Sequence, residues 1–291
     1  MDINNILIHL LNGLFWGSLI GLIAMGLSLV YGQLGIINLA HGELYMLGAV
    51  VAYYCIGIIN SFWLTLLVSP ILIIVLGLFI ERFLLRPIER NTNATLIVTY
   101  AISICFQYVV LFFFGGAPQR ISEPIGITLN LLGIGYPLYR IFIIVITFLL
   151  FTGFIYFLKH TRYGLWIRGT GQDIYLATVL GISTQTIYLI TFGLGSGFAA
   201  LAGVLASPIV AVEFRMGADI IILAFMASII GGFGNLKGTF IASIIIGVLD
   251  GALLVFLEST YAKVSLLLIS CIFLVLRPQG LFTIPKSSRR I

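Results

Sequence analysis

Apolar residues run along this chain in long, nearly uninterrupted stretches, and polar residues gather in the short gaps between them. About 20 apolar residues cross a hydrocarbon core of about 30 Å as a helix, so stretches of that length bounded by charges or Gly/Pro clusters predict membrane spans. Nine such stretches occur, at approximately 10–31, 36–56, 62–85, 95–114, 138–158, 187–208, 219–233, 239–257 and 262–276. The seventh is short and ends in Gly231, Gly232, Phe233 and Gly234. It is expected to be a half-helix or a re-entrant hairpin, which makes the count eight or nine.

Composition agrees with this pattern. Of 291 residues, 60 % are hydrophobic and only 9 % are charged, and the mean hydropathy is +1.18. A soluble domain does not need that balance for its core. The expected fold class is therefore an all-α integral membrane protein, a polytopic bundle forming one transmembrane domain over residues 1–291.

Charge sets the expected orientation. With the N-terminus outside, the inner loops hold eleven basic residues: Arg82, Arg86, Arg90, Lys159, Arg162, Arg168, Lys237, Arg277, Lys286, Arg289 and Arg290. The outer side then keeps four, Arg120, Arg140, Arg215 and Lys263. The positive-inside rule favours this arrangement, with the C-terminus in the cytoplasm. The net charge of +5 then reflects contact with the inner leaflet, and no nucleic-acid partner is needed to explain it. Met1 to Asn5 supply no basic n-region and the first span is too long for an h-region, so no cleavable signal is expected. Cys55, Cys105 and Cys271 lie far apart and define neither a metal spacing nor a disulfide framework.

Three sets of small residues recur every four positions: Gly13, Gly17 and Gly21; Gly195, Ala199 and Gly203; Ser243, Gly247 and Gly251. Residues four apart share a helix face, and small ones let two backbones approach closely in lipid. These are expected packing seams.

Ionisable residues within the spans carry the candidate chemistry. "INLAHGELYMLGAVVAYY", residues 36–53, places Asn38, His41, Gly42 and Glu43 together inside an apolar region. Gly32 and Gly35 before them weaken helical continuity, and Asn38 is a candidate cap for a new helix. A helix break near residues 31–43 is therefore expected. It is either a wet cytoplasmic turn, a break at membrane depth lining a cavity, or a buried structural pair. At depth, unwound backbone must line a cavity or bury itself in protein, and broken helices aim their amide dipoles at carboxylate substrates. Asp250, Asp219 and Gln107 complete the polar inventory of the spans. Asp250 serves equally as a pathway residue or a packing residue, and Asp219 as an N-cap.

No catalytic or metal-binding motif is present. "GGFGNLKGT" is rich in glycine, but Lys237 precedes Gly238, so it does not form a Walker A loop. ATP-driven work would have to come from another chain. The longest inner loop, residues 160–186, is built to receive one. Thr170 to Asp173 can start a short helix, Ile174, Ala177 and Leu180 form an apolar stripe, and Gly181 suits its C-terminal end. Arg162, Arg168 and Asp173 would set the rim of a docked surface.

Several stretches together carry a family resemblance. They are "GLSLVYGQLGIINLAHGELYMLGA" (26–49), "ERFLLRPI" (81–88), "LIVTYAISICFQ" (96–107), "IRGTGQDIYLATVLGI" (167–182), "FRMGADIIILAFMASIIGGFGNLKGTFIASIIIGVLD" (214–250) and "RPQGLF" (277–282). In this order they resemble the membrane permeases of high-affinity branched-chain amino acid ABC transporters. The resemblance implies a multi-pass subunit of a bacterial or archaeal inner membrane. It also implies as partners a second homologous permease, two cytoplasmic ATPases and an external binding protein that delivers leucine, isoleucine or valine. The chain itself would be non-catalytic and hold no cofactor, with ATP and Mg in the ATPases. Ala177 and Gly181 match the Ala-x-x-x-Gly core of importer coupling segments, whereas Tyr175 stands where many importers have Glu. In this reading, closure of the ATPases pushes on 167–182 and the bundle passes the movement to the break at Asn38 to Glu43. Three alternatives remain at this point: a permease for urea or short amides, a proton-coupled transporter using His41, Glu43 and Asp250, and an intramembrane lipid-modifying enzyme using His41 and Glu43.

Overall fold

A computed structural model of the chain describes residues 3–88, 91–131 and 133–282. Arg90, Lys286, Arg289 and Arg290, counted above among the inner basic residues, lie outside the described residues. In chain order the helices are α1 (Ile3–Leu34), α2 (His41–Ile59), α3 (Phe62–Phe79), α4 (Thr92–Phe114), α5 (Leu138–His160), α6 (Arg162–Gln172), α7 (Ile174–Val179), α8 (Thr184–Ala206), α9 (Met216–Gly231), α10 (Leu236–Phe256) and α11 (Ser259–Leu276). A π-helical turn, Ile80–Leu85, and a 3-10 turn, Arg86–Ile88, prolong α3. Among the described residues, eight helices are long and apolar enough to cross a membrane, and α9, with 16 residues, is a shorter apolar helix. The short seventh stretch is thus a short helix, turned into α10 through Gly232 and Gly234, both at positive φ.

Local signals explain the boundaries. Asn91, Asn235 and Ser61 accept backbone N–H bonds from Ala94 (3.1 Å), Gly238 (3.1 Å) and Leu64 (3.5 Å) at the starts of α4, α10 and α3. Asp219 is not a cap: Arg215 occupies that place without a side-chain bond, and Asp219 lies in the first turn of α9. A short antiparallel hairpin, β1 (Thr128–Leu131) and β2 (Ile134–Pro137), joins α4 to α5. Hydropathy did not signal it, because a four-residue strand carries no span-length pattern.

The small-residue seams close the bundle. Gly13 and Gly17 of α1 press against the backbone of Ser243 to Val248 in α10, and Gly251 against His9, so two of the three stripes interlock. The third faces two helices at once: a Cβ on Gly195 would lie 3.0 Å from the Gly26 carbonyl oxygen, and Gly203 abuts the Tyr45 carbonyl. Gly48 of α2 returns the contact, its Cβ position 2.6 Å from the Ala200 Cα. Consequently α1 and α8 sit at the centre, with 89 % and 78 % of their apolar stretches buried, while α11 at 17 % lies on the rim. Rim helices expose large apolar residues such as Leu67, Phe112 and Val275, a distribution suited to lipid.

At one end, Tyr136 and Arg140 both donate to the Asn12 side-chain oxygen, which ties the hairpin to α1. Burial raises the Tyr136 hydroxyl above its ordinary pKa, and Arg140 partly offsets this. At the other end, Arg86 pairs with the buried Glu81 at 3.4 Å and donates to the Gln185 carbonyl at 3.3 Å. That contact fastens the end of the α3 extension to the start of α8.

Candidate functional site

The break between α1 and α2 is real, and its depth follows from its neighbours. Helix α1 ends at Leu34, where Gly35 takes φ +67° while its N–H bonds the Tyr31 carbonyl at 2.9 Å. The chain then doubles back. His41, the first residue of α2, lies against Ile23 and Gly26, eight to eleven residues before the end of α1. At 1.5 Å per residue, α2 starts roughly 12–16 Å inward from that end. Asn38, His41 and Glu43 are 1 %, 0 % and 1 % exposed. They are not a wet turn.

Asn38 does not cap α2. Ala40 holds that place without a side-chain bond, and only the Asn38 carbonyl takes part, accepting from His41 N–H at 3.3 Å. The His41 Nε2 donates to the Ile23 carbonyl at 3.1 Å, because a carbonyl only accepts. On the other side of α2, the Glu43 Oε1 accepts from Gln107 Nε2 at 2.7 Å and from the Ser103 hydroxyl at 3.0 Å. Residues two apart on a helix do not share a face. His41 and Glu43 therefore point apart, and the acid–base pairing required by the intramembrane-enzyme reading is not built.

Helix α4 supplies a stripe of which only Gln107 was singled out from the sequence. Thr95, Thr99, Ser103 and Gln107 recur every four residues and so form one polar stripe. The Thr99 hydroxyl accepts from the Leu39 N–H at 3.3 Å and faces the Ile37 carbonyl at 3.3 Å. The stripe thus supplies hydrogen bonds to the unwound backbone as well as to Glu43. Its four-residue period of small polar residues within an apolar span was the available signal.

Helix α9 closes the site. Gly42 and Gly217 meet backbone to backbone, and a Cβ on Gly217 would lie 2.7 Å from Glu43 Oε2. Four buried polar atoms here have no hydrogen-bond partner among the described residues: Asn38 Oδ1 and Nδ2, His41 Nδ1 and Glu43 Oε2. Such atoms are costly unless something polar meets them. No cluster of three or more His, Cys, Asp or Glu able to hold a metal occurs among the described residues.

Asp250 stands apart from this group. It lies beside Gly251, which packs on His9 of α1, fourteen residues and roughly 21 Å along α1 from Ile23. A relay joining His41, Glu43 and Asp250 is therefore not assembled.

The inner-loop segment folds as two helices. Thr161 caps α6 by accepting from Gly164 N–H at 3.0 Å, so a helix covers Arg162 to Gln172, where a shorter start at Thr170 was expected. Asp173 caps α7 by accepting from Leu176 N–H at 3.0 Å. Gly181, at φ +79°, and the Ile182 N–H to Ala177 carbonyl bond of 3.0 Å close its far end. The expected stripe is divided: Ala177 is 3 % exposed, whereas Ile174 and Leu180 are 48 % and 77 % exposed. Tyr175, Leu176 and Val179 join the outward apolar surface. Arg162, Arg168 and Asp173 are exposed around it. Gln33 at the end of α1 packs on Gly171 of α6, so this helix pair touches the helix that leads into the break.

A multi-pass bundle in which the link between two spans is buried at depth, with an apolar helix face at one end, fits the class of a membrane permease. Residues 9–276 match the family described as the permease component of branched-chain amino acid transport systems, and the chain belongs to it. It is 29 % identical over 299 residues to the high-affinity branched-chain amino acid transport system permease protein LivH of Salmonella typhimurium, covering 96 % of each chain. Against the corresponding protein BraD of Pseudomonas aeruginosa the identity is 30 % over 305 residues, 98 % of each. It is also 27 % identical over 266 residues to the ribose import permease protein RbsC of Escherichia coli, covering 87 % of this chain and 80 % of that one.

Proposed function

We propose that this chain is the membrane-spanning permease subunit of an ABC importer that carries branched-chain amino acids into the cytoplasm. The observation that carries the proposal is full-length likeness to LivH and BraD, joined to a polar, incompletely satisfied helix break inside an otherwise apolar bundle. Likeness to a ribose permease supports the scaffold more broadly than its cargo. The amino-acid reading rests on the higher identity and coverage of the first two, and on a break whose chemistry suits a zwitterion. The urea and short-amide alternative has no comparable support.

The polar parts divide the work as follows. The N-terminal amides of α2 present the positive end of its dipole at the break, suited to a substrate carboxylate. Glu43 Oε2 accepts from the ammonium group, and Asn38 meets either end. Gln107 and Ser103 hold the other carboxylate oxygen and so fix the direction of Oε2. Buried apolar neighbours such as Leu44 and Met46 provide the walls.

Energy enters at the end of the bundle nearest the break. The exposed apolar face of α7 receives a cytoplasmic ATPase, and movement passes through α6 and Gln33 to the end of α1 and the break. Two such ATPases, a second permease and an external binding protein complete the assembly in the inner membrane. The N-terminus is outside and the C-terminus inside. The chain itself hydrolyses nothing and needs no cofactor, ATP and Mg remaining with its partners.

Reconstitution tests this. Vesicles holding the chain with its co-purifying ATPases and binding protein take up labelled leucine only when ATP is on the ATPase side, and Glu43→Ala lowers that uptake at least about tenfold, given that losing one buried charged contact costs 2–5 kcal/mol. Accumulation of leucine by the chain alone, with or without a pH gradient, overturns the proposal.

A further inference from the structure

A second polar feature lies away from the break. A cavity of about 290 Å³ opens between the inner ends of α1 and α5, helix α6 and the first turn of α10. Ser28, Leu29 and Gly32 of α1 form its floor, and Ile155, Leu158 and Leu236 supply apolar walls. One helical turn beyond Ile155 and Leu236, Phe151 of α5 stacks on Phe240 of α10 with centroids 4.1 Å apart, which holds the two helices together there.

Its mouth is basic. Lys159, Arg168 and Lys237 come from three separate elements and line the same cavity. The ion pair found among the described residues, Glu81 with Arg86, lies elsewhere, and none of the three meets a carboxylate of a described residue. The amide end of α10, a helix of 21 residues, opens between them and adds its positive dipole. Cations at the rim and hydrocarbon walls behind them match an amphiphile with an anionic head.

We infer that this groove binds an anionic phospholipid of the inner leaflet, its phosphate held by Lys159, Arg168 and Lys237 and an acyl chain lying against Ile155 and Leu236. The charge is wrong for the chain's own C-terminal residues, which include Lys286, Arg289 and Arg290. The walls are wrong for a small free anion, which has no use for hydrocarbon. The cytoplasmic leaflet carries the anionic lipids, and basic pockets between transmembrane helices on that side bind their heads. The leaflet assignment rests on the orientation proposed above. Binding itself does not, because a detergent-solubilised chain exposes both ends. A bound lipid would brace α6 against α1 and α10, the elements through which movement of α7 must pass.

Trp166 lies two residues from Arg168 on α6 and so faces away from it, and the reporter is therefore placed in the cavity wall as Ile155→Trp. With Trp16, Trp63 and Trp166 replaced by Phe in that variant, brominated phosphatidylglycerol is titrated into the solubilised full chain and compared with brominated phosphatidylcholine. Quenching is expected at about tenfold lower concentration for the anionic lipid, as three surface cations allow. The K159Q/R168Q/K237Q variant removes the preference, whereas K263Q keeps it. Native mass spectrometry of the chain with all its tryptophans gives an independent reading: phosphatidylglycerol stays bound, and is lost in the triple variant. Equal affinity for the two lipids, a preference that survives the triple substitution, or full displacement of phosphatidylglycerol by millimolar inorganic phosphate overturns the inference.

Discussion

Glu43 is held by side chains of another helix, and this makes its partners measurable. Gln107 and Ser103 both donate to Oε1, and a buried hydrogen bond of this kind contributes about 1–3 kcal/mol. Gln107→Leu should therefore destabilise the solubilised protein by about that amount, while in a Glu43→Leu background its cost should fall below about 0.5 kcal/mol. Equilibrium unfolding of the four proteins in mixed micelles gives the coupling, and additive costs would show that the contact is idle. Gly42 is the second test. Its Cβ position meets the Gly217 carbonyl and lies 2.9 Å from the Ile221 Cβ, so Gly42→Ala should cost about 1–3 kcal/mol or more through overpacking. Gly57, on the same helix with nothing within 4 Å, is the control, and its change to Ala should be neutral or stabilising by about 0.5–1 kcal/mol. Equal effects in the same unfolding assay would contradict the close approach of α2 and α9. Asn38, His41 and Glu43 were legible as candidates because ionisable and amide side chains are conspicuous in an apolar run. Thr99 and Ser103 were not, since small hydroxyls are common in spans, and only the fold shows which face they occupy.

Among the elements, the long helices followed from hydropathy, because lipid leaves the backbone few ways to satisfy itself. Their exact ends did not. Helix α1 begins seven residues before the predicted 10 and runs on to Leu34, since polar residues such as Asn4, Asn5 and His9 can extend a helix beyond the apolar zone. The interruption near residues 31–43 was expected, but its depth was not fixed, for it depends on Thr99 and on the level at which α2 meets α1. The α6–α7 pair tests how far local pattern reaches. The capping residues Asp173 and Gly181 were readable, but the face of α7 was not, because a six-residue helix is too short for periodicity to distinguish inside from outside. The structure turns Ala177 in and leaves Tyr175 and Leu180 each 77 % exposed. Leu180→Asp and Tyr175→Asp should thus change stability by less than about 0.5 kcal/mol yet abolish co-purification of the ATPases. Unchanged recovery of the ATPases in a pull-down from detergent extracts would remove α7 from the docking surface.

For the whole molecule, the two ends of the bundle are chemically different, and this difference must match a membrane with two unlike sides. One end carries the β1–β2 hairpin and the Asn12, Tyr136 and Arg140 cluster. The other carries α6, α7 and the cations Lys159, Arg168 and Lys237. Successive spans run antiparallel, so fixing one end fixes every loop, and the orientation proposed above puts the basic end in the cytoplasm. The expected outcome can be read by single-cysteine labelling. Cys105 and Cys271 are exposed and Cys55 is half-buried, so replacing all three by Ser should leave a folded background. In it, Tyr175→Cys should react with a membrane-impermeant maleimide only in inside-out vesicles, and Ser122→Cys, exposed in the segment before β1, only in right-side-out ones. Labelling both at the same face would break the single-crossing count between α4 and α7. Reversed labelling would place α7 outside, where no ATP-driven partner could reach it, and the energy-coupling role proposed for that helix would be lost with it.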